Sequence, residues 1–274
     1  MIMNASTKVI AIFGNPINHS LSPLIQNAWL KAHGENIVYF ACDVSPQNLK
    51  SAVDGAKAMG FKGINITVPH KVNVLKYVDG IESAVKAIGS ANTITIENGL
   101  LTAYNTDYLG CIADFKANKI AVKNKNVFVY GAGGAAKAVL AALNTMGAPS
   151  VFVSSIIYKE AAGLAKQFGV SCVKHGDENK TLSQCEIFIN ASSCGMKAGD
   201  KPHFEIAKPP KVTLVYDLIY AKNTPFKKLA KKYKIKYIDG TGFLARQAAE
   251  GFRLWTGKYP NVSTALNLLK KHAR

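Results

Sequence analysis

The run NVFVYGAGGAAKA, Asn126 to Ala138, places Gly131-x-Gly133-x-x-Ala136 directly after an apolar, strand-like stretch and at the mouth of an alanine-rich helix. That spacing suits phosphate. The first glycine permits a tight turn, the second lets backbone approach a pyrophosphate, and a small third residue allows close helix–sheet packing while the helix N-terminus faces the anion. Gly131, Ala132, Gly133, Gly134 and Ala135 are therefore the candidate dinucleotide contacts. An NAD site would carry Asp or Glu about twenty residues on, accepting from the ribose 2′-hydroxyl. Here the next strand ends VFVSS, and Ser154 and Ser155 stand in that place. Their hydroxyls do not repel a 2′-phosphate and can donate to one, which favours NADP. No arginine is at hand to clamp that phosphate, although Lys159 could bring positive charge, so NAD remains possible as cofactor.

Four other stretches carry clustered polar groups: FGNPINHSLSP with Ser20 and Ser22, GINITVPHK with Asn65, Thr67 and Lys71, GSANTI with Asn92, and YNTDYLG with Asp107. Each falls at the end of a strand or helix. In α/β sheets ligands collect beyond the carboxyl ends of the strands, and Ser20, Ser22, Thr67 and Lys71 all follow strands in this sense. Taken singly each has a plainer account: Ser22 as a helix cap, Asn92 as a turn residue, Asp107 as a cap beside the helix dipole, Lys71 as a solvated helical lysine.

The elements that must position these groups follow from periodicity. Strand-like runs at Val9–Phe13, Ile37–Cys42, Lys62–Ile66 and Thr93–Ile96 alternate with helical stretches, a βαβ rhythm that implies a mostly parallel sheet. Ser22-Pro23 and Ser45-Pro46 read as caps followed by proline at the first helical position. A second set, Asn126–Tyr130, Val151–Val153, Ile187–Ile189 and Val212–Tyr216, is separated by helices at Ala135–Met146 and Glu160–Phe168. Asp107–Ala117 reads as a helix, Asn118–Asn126 as a polar connection, and Thr241–Trp255 and Val262–His272 as closing helices. The fold class is α/β.

Composition narrows the rest. With 48% apolar and 19% charged residues over 274 positions, the chain is a packed globular protein rather than a disordered one. The five cysteines are scattered with no Cys-x-x-Cys pair, so no metal site is expected from them and they read as reduced. No charged region followed by an apolar core opens the chain, which points to a cytoplasmic protein, and no stretch reads as a membrane span. The net charge of +17 favours anionic partners, yet its densest cluster, Lys227 to Lys236, falls on a surface helix and reads as a solvated face rather than a nucleic-acid footprint.

The motifs GNPINHSLSP, NITVPHK, GSANT, YNTDYLG, GAGGAAKA, INASSCGM, YDLIY with TPF, and GTGFLARQAAEGFRLWTG stand in the order and approximate spacing of the shikimate dehydrogenase family, which the chain resembles over nearly its whole length. The resemblance implies two domains: an N-terminal, mostly parallel α/β substrate domain at 1–108 completed by helices at 241–274, and a Rossmann NADP-binding domain at 109–240. It implies reversible NADP-dependent reduction of 3-dehydroshikimate to shikimate. By motif position, Ser20 and Ser22 would hold the substrate carboxylate. Thr67, Asn92, Asp107 and Gln247 would bind ring hydroxyls, with Tyr220 closing the site and Asn65 shaping it. Lys71 and Asp107 would be the catalytic pair, and Leu218 and Gly240 would join the cofactor contacts.

The chain departs from the family at His70, where many members have phenylalanine, and at Ser155-Ile156-Ile157, where NADP-dependent members commonly have Asn-Arg-Thr. The competing readings are a quinate/shikimate dehydrogenase using NAD, and a non-catalytic protein that binds dinucleotide or nucleic acid. The expected partners are a small-molecule substrate without nucleic acid or membrane, the chain acting as monomer or homodimer.

Overall fold

The computed structural model describes residues 3–221 and 223–272. They form two compact units, one from the chain up to Gly110 together with Ala245–Lys271, the other from Cys111–Leu244.

The first unit contains β1 (Lys8–Gly14), α1 (Ser22–Ala32), β2 (Ile37–Asp43), α2 (Leu49–Ala58), β3 (Gly63–Ile66), β4 (Gly80–Ile81), α3 (Ser83–Ile88), β5 (Thr93–Glu97) and β6 (Leu100–Tyr104), and then enters α4 (Thr106–Ala117). Its sheet runs β2-β1-β3-β5-β6-β4. β1 pairs in parallel with β2 and β3, whereas β3–β5 and β5–β6 are antiparallel. The simple βαβ rhythm expected here thus gives way to a hairpin. Its turn is Asn98-Gly99, both at positive φ (49° and 73°), the two-residue loop whose twist matches paired strands. Ile10 to Gly14 is buried throughout because β1 is covered on both faces, giving an unbroken apolar run instead of alternation.

Two expected caps differ. Ser22 is the first residue of α1, after Leu21, and makes no capping bond. Ser45 precedes a short 3-10 turn at Pro46–Asn48, and α2 starts beyond it.

The second unit continues with β7 (Asn126–Tyr130), α5 (Gly134–Thr145), β8 (Ser150–Ser154), α6 (Tyr158–Phe168), β9 (Ser171–Cys172), α7 (Glu178–Leu182), β10 (Ile187–Asn190), β11 (Leu214–Asp217), α8 (Pro225–Tyr233) and β12 (Lys236–Ile238). All its strands are parallel, in the order β12-β11-β10-β7-β8-β9. That is the doubly wound Rossmann order, with its reversal between β7 and β10. α5 packs Ala136, Ala138, Val139, Leu140, Ala142 and Leu143 against this sheet.

α9 (Thr241–Thr256) and α10 (Val262–His272) end the described chain. Within the first unit Trp255 of α9 donates from Nε1 to the Ile94 carbonyl at 3.0 Å. Its indole occupies the place a side chain on Gly63 would take, and an added Cβ would also fall 2.6 Å from that carbonyl. Glycine in this strand is required by that close approach. Gly63→Ala is accordingly expected to destabilise the protein by about 1–3 kcal/mol through overpacking, measured by chemical denaturation.

Candidate active site

In the first sheet the chain leaves β1 toward one side, to β2, and leaves β3 toward the other, so the reversal of strand order lies between β1 and β3. Loops leaving such a point diverge and open a crevice. The loop after β1 carries Ser20 and ends at Ser22; the loop after β3 carries Thr67 and Lys71. Backbone bonds hold them side by side: Thr67 N–H donates to Phe13 O at 2.9 Å and Asn15 N–H to Val68 O at 3.1 Å.

Lys71 sits in a turn, not on a helix, and its Nζ donates to Asp107 Oδ2 at 2.6 Å. The pair is largely enclosed, with side chains 15% and 5% exposed. Asp107 is not the cap of α4. Asn105 accepts from Tyr108 N–H at 3.0 Å in that role, which leaves the Asp107 carboxylate to the lysine. The other oxygen, Oδ1, accepts from Asn92 Nδ2 at 2.9 Å.

Asn92 is the hub. Its Nδ2 also donates to Thr106 Oγ1 at 2.9 Å and to Gln247 Oε1 at 3.3 Å, while its Oδ1 accepts from Thr106 N–H at 2.7 Å. Asn65 extends the network from β3: Nδ2 donates to Asn92 O at 2.9 Å and Thr93 Oγ1 at 3.0 Å, and Oδ1 accepts from Tyr39 Oη at 2.6 Å. Burial raises the Tyr39 phenol well above its ordinary range, opposed in part by a hydrogen bond with Ser22, so the proton stays in place for donation. Ser22, Asn65, Asn92, Asp107, Lys71 and Gln247 are therefore joined in one hydrogen-bonded set within the first unit. His70 is buried, with Nε2 at 2.7 Å from Val44 O, a satisfied core histidine.

Sequence reasoning missed Tyr39, Thr93, Asn105, Thr106 and Gly110. Only Gly110 left a signal, as a glycine inside a helical pattern. A Cβ there would fall 2.6 Å from Gln247 Cβ and 2.7 Å from its backbone nitrogen. Its absence lets α9 approach closely enough to bring Gln247 to Asn92.

The glycine turn of the second unit lies at the other strand-order reversal. Gly131 has φ +124°, and a Cβ would meet the Ala191 carbonyl beyond β10 at 2.7 Å. A side chain on Gly133 would meet nothing within 4 Å, and α5 begins after it with no side-chain cap. Exposed backbone and uncapped helix amides are the cradle a pyrophosphate needs, so the turn from Gly131 to Ala135 fits a dinucleotide. Gly240 packs onto the Leu218 carbonyl, leaving no room for a Cβ. Tyr220 is half-buried, which raises its phenol.

The serines at the end of β8 do not stand as open donors. Ser154 is fully buried, its Oγ without a hydrogen-bond partner among the described residues, and Ser155 Oγ accepts from Ile157 N–H at 3.4 Å. The loop presents Ile156 and Ile157 to solvent instead.

A doubly wound sheet with a glycine turn in one unit, and in the other a buried lysine–carboxylate pair at its own strand crossing, define a dinucleotide-dependent oxidoreductase. Residues 12–94 match the model of the shikimate dehydrogenase substrate binding domain, and residues 240–270 that of the shikimate 5'-dehydrogenase C-terminal domain. The chain belongs to the shikimate dehydrogenase family. It is 40% identical to a shikimate dehydrogenase (NADP(+)) of Methanocaldococcus jannaschii, covering 98% of each chain. Among solved structures it is similar to shikimate dehydrogenase from Aquifex aeolicus (TM-score 0.91, 37% identity, 98% of this chain and 100% of that one). It is similar also to a shikimate dehydrogenase in complex with NADP+ (TM-score 0.89, 37% identity, 100% and 98%).

Truncating the hub strands several buried groups at once. Asn92→Ala is expected to cost about 1–3 kcal/mol in denaturation, because the Thr106 amide and Asp107 Oδ1 each lose a partner.

Proposed function

We propose that the chain catalyses the reversible NADP-dependent reduction of 3-dehydroshikimate to shikimate, with Lys71 and Asp107 as its catalytic pair. The observation that carries this reading is the enclosed 2.6 Å contact between Lys71 Nζ and Asp107 Oδ2 at the crossing of the first sheet, in a chain of this family.

Ser20 and Ser22 donate to the substrate carboxylate, an acceptor-only anion, at the N-terminus of α1, whose positive end adds to the attraction. Thr67, Asn92, Asp107 and Gln247 bind the ring hydroxyls, and Tyr220 supplies a further contact. Asn65 shapes the pocket, its amide being engaged by Tyr39, Asn92 and Thr93. Gly131 to Ala135, with Leu218 and Gly240, would hold the cofactor, which would supply the hydride as NADPH and, in the reverse direction, accept it as NADP+. As negative charge builds on the C3 oxygen, the Lys71 ammonium stabilises it and then transfers its proton, leaving the C3 hydroxyl and a neutral amine. In the oxidative direction the neutral amine takes that proton back. Asp107 orients the ammonium and is itself fixed by Asn92.

The isoleucines after β8 favour a second reading for the cofactor, in which NAD competes, since no guanidinium clamps the 2′-phosphate there. The same account takes the protein as a cytoplasmic monomer or homodimer with no nucleic-acid partner.

The test is absorbance of reduced nicotinamide on mixing protein with shikimate or quinate and either cofactor. Turnover is expected with shikimate and NADP; strong, salt-dependent nucleic-acid binding without any turnover would overturn the assignment. Lys71→Ala should lower kcat about 100-fold or more while changing shikimate binding only a few-fold, and unchanged kcat would remove the lysine from the mechanism. Ile156→Arg should lower the KM for NADP about 10-fold and leave that for NAD unaltered, one charge-assisted clamp being worth at least that much.

A further inference from the structure

A cluster outside the catalytic network remains unused. His175 follows β9, Glu178 opens α7, and His203 lies in the chain between β10 and β11, 25 residues from Glu178 in sequence. One ligand atom from each side chain lies within 4.8 Å of the other two. His203 Nε2 is 2.9 Å from Glu178 Oε1, close to the spacing of about 3.3 Å between neighbouring ligands on a tetrahedral ion with bonds near 2.05 Å. The His175 and His203 rings are 4.9 Å apart between centroids, tilted by 47°.

The second polar atom of each group is tied elsewhere. His175 Nε2 lies 2.9 Å from the Ser155 carbonyl, which only accepts, so Nε2 carries the proton and Nδ1 keeps its lone pair. His203 Nδ1 lies 3.2 Å from Tyr130 Oη, which also accepts from the His203 backbone N–H at 3.1 Å. With Nδ1 protonated toward that oxygen, Nε2 is the free donor. Glu178 Oε2 accepts from Gly176 N–H at 2.7 Å, a fold-back helped by Gly176 at φ +94°. Outer partners that fix tautomer and orientation in this way are the usual surroundings of metal ligands.

We propose that His175, Glu178 and His203 form a zinc site, with water completing the coordination. Two imidazoles and one carboxylate suit Zn2+ rather than Mg2+ or Ca2+, which take all-oxygen shells. His175 is exposed and gives the ion its way in, while Glu178 is 2% exposed and anchors it. The outer partners give the site its place in the fold. Tyr130 ends β7 immediately before the glycine turn, and Ser155 follows β8, so the ion braces the ends of two adjacent strands that present the cofactor cradle. Sequence reasoning, attending to cysteine spacing, passed over it because its ligands come from three separate segments.

The test uses the tag-free full chain, stripped with a chelator, dialysed and titrated with zinc chloride by calorimetry. Cobalt(II) serves as a spectroscopic probe of coordination. One zinc per chain is expected, with a rise in melting temperature on binding. His175→Ala, at an exposed position that folding tolerates, should weaken zinc at least about 100-fold. Glu178→Gln should do likewise, and Tyr130→Phe should weaken it about 10-fold through loss of the outer hydrogen bond. Zinc binding that is absent, sub-stoichiometric or unaffected by His175→Ala would overturn the proposal and leave a hydrogen-bonded histidine–glutamate pair. These readouts are independent of turnover.

Discussion

An ammonium and a carboxylate 2.6 Å apart, with little solvent reaching either, are expensive to hold. Removing each from water costs several kcal/mol, and their attraction recovers this only where the remaining oxygens and protons are also satisfied. Asp107 meets that condition through Asn92, and Asn92 through Thr106, Gln247 and the backbone tie from Asn65. The arrangement therefore extends across β3, the start of β5, the start of α4 and one face of α9. Few residues in these elements can change independently. The packing glycines belong to the same constraint, since Gly63 admits the indole that seats α9 and Gly110 admits the backbone of Gln247.

Both sheets place their polar ends by one topological device, a reversal of strand order that parts two loops. In the first, the reversal separates the serine loop after β1 from the lysine loop after β3. In the second it separates the glycine turn after β7 from Ala191 after β10, which come so close that only glycine fits at 131. Chemistry differs between the two because the loops differ: one offers side-chain donors and an ion pair, the other bare backbone and a helix terminus.

How far the sequence foretold this depends on where each signal resides. The glycine turn was legible because its chemistry is local, a strand, a turn and a helix contiguous from Asn126 to Thr145. The alternation of strands and helices was legible for the same reason, and β7 and α10 fall at their expected limits. β6 was lost although Asn98-Gly99 marked its hairpin, because the expected βαβ rhythm overrode a turn signal of two residues. The polar set was legible only as scattered motifs that a family resemblance could assemble. Tyr39 reads in sequence as one more aromatic in a strand, and its hydroxyl gains meaning only from Asn65, 26 positions away. For Ser154 and Ser155, residue type gave the donors but not their burial, which follows from the packing around the end of β8.

Two groups that can only donate set the directions of the Asn65 and Asn92 amides. A phenol kept protonated by burial can only present its hydrogen to Asn65 Oδ1, which forces Asn65 Nδ2 toward Asn92 O and Thr93. The backbone N–H of Thr106 can only donate, which fixes Asn92 Oδ1 and turns Nδ2 toward Asp107. Asp107 is thus met by a donor at one oxygen and left an acceptor at the other, a place that an ammonium fills and a neutral acceptor could not. Of the three N–H donors on Lys71, Asp107 engages one. The ammonium of Lys71 is therefore positioned by hydrogen-bond directionality set at the Thr106 amide and passed through Asn92 and Asp107. A change at Tyr39 or Asn65 reaches that lysine through the Asn92 backbone and through Thr93, whose hydroxyl donates to Asn92 Oδ1 at 3.2 Å, without removing any charged group.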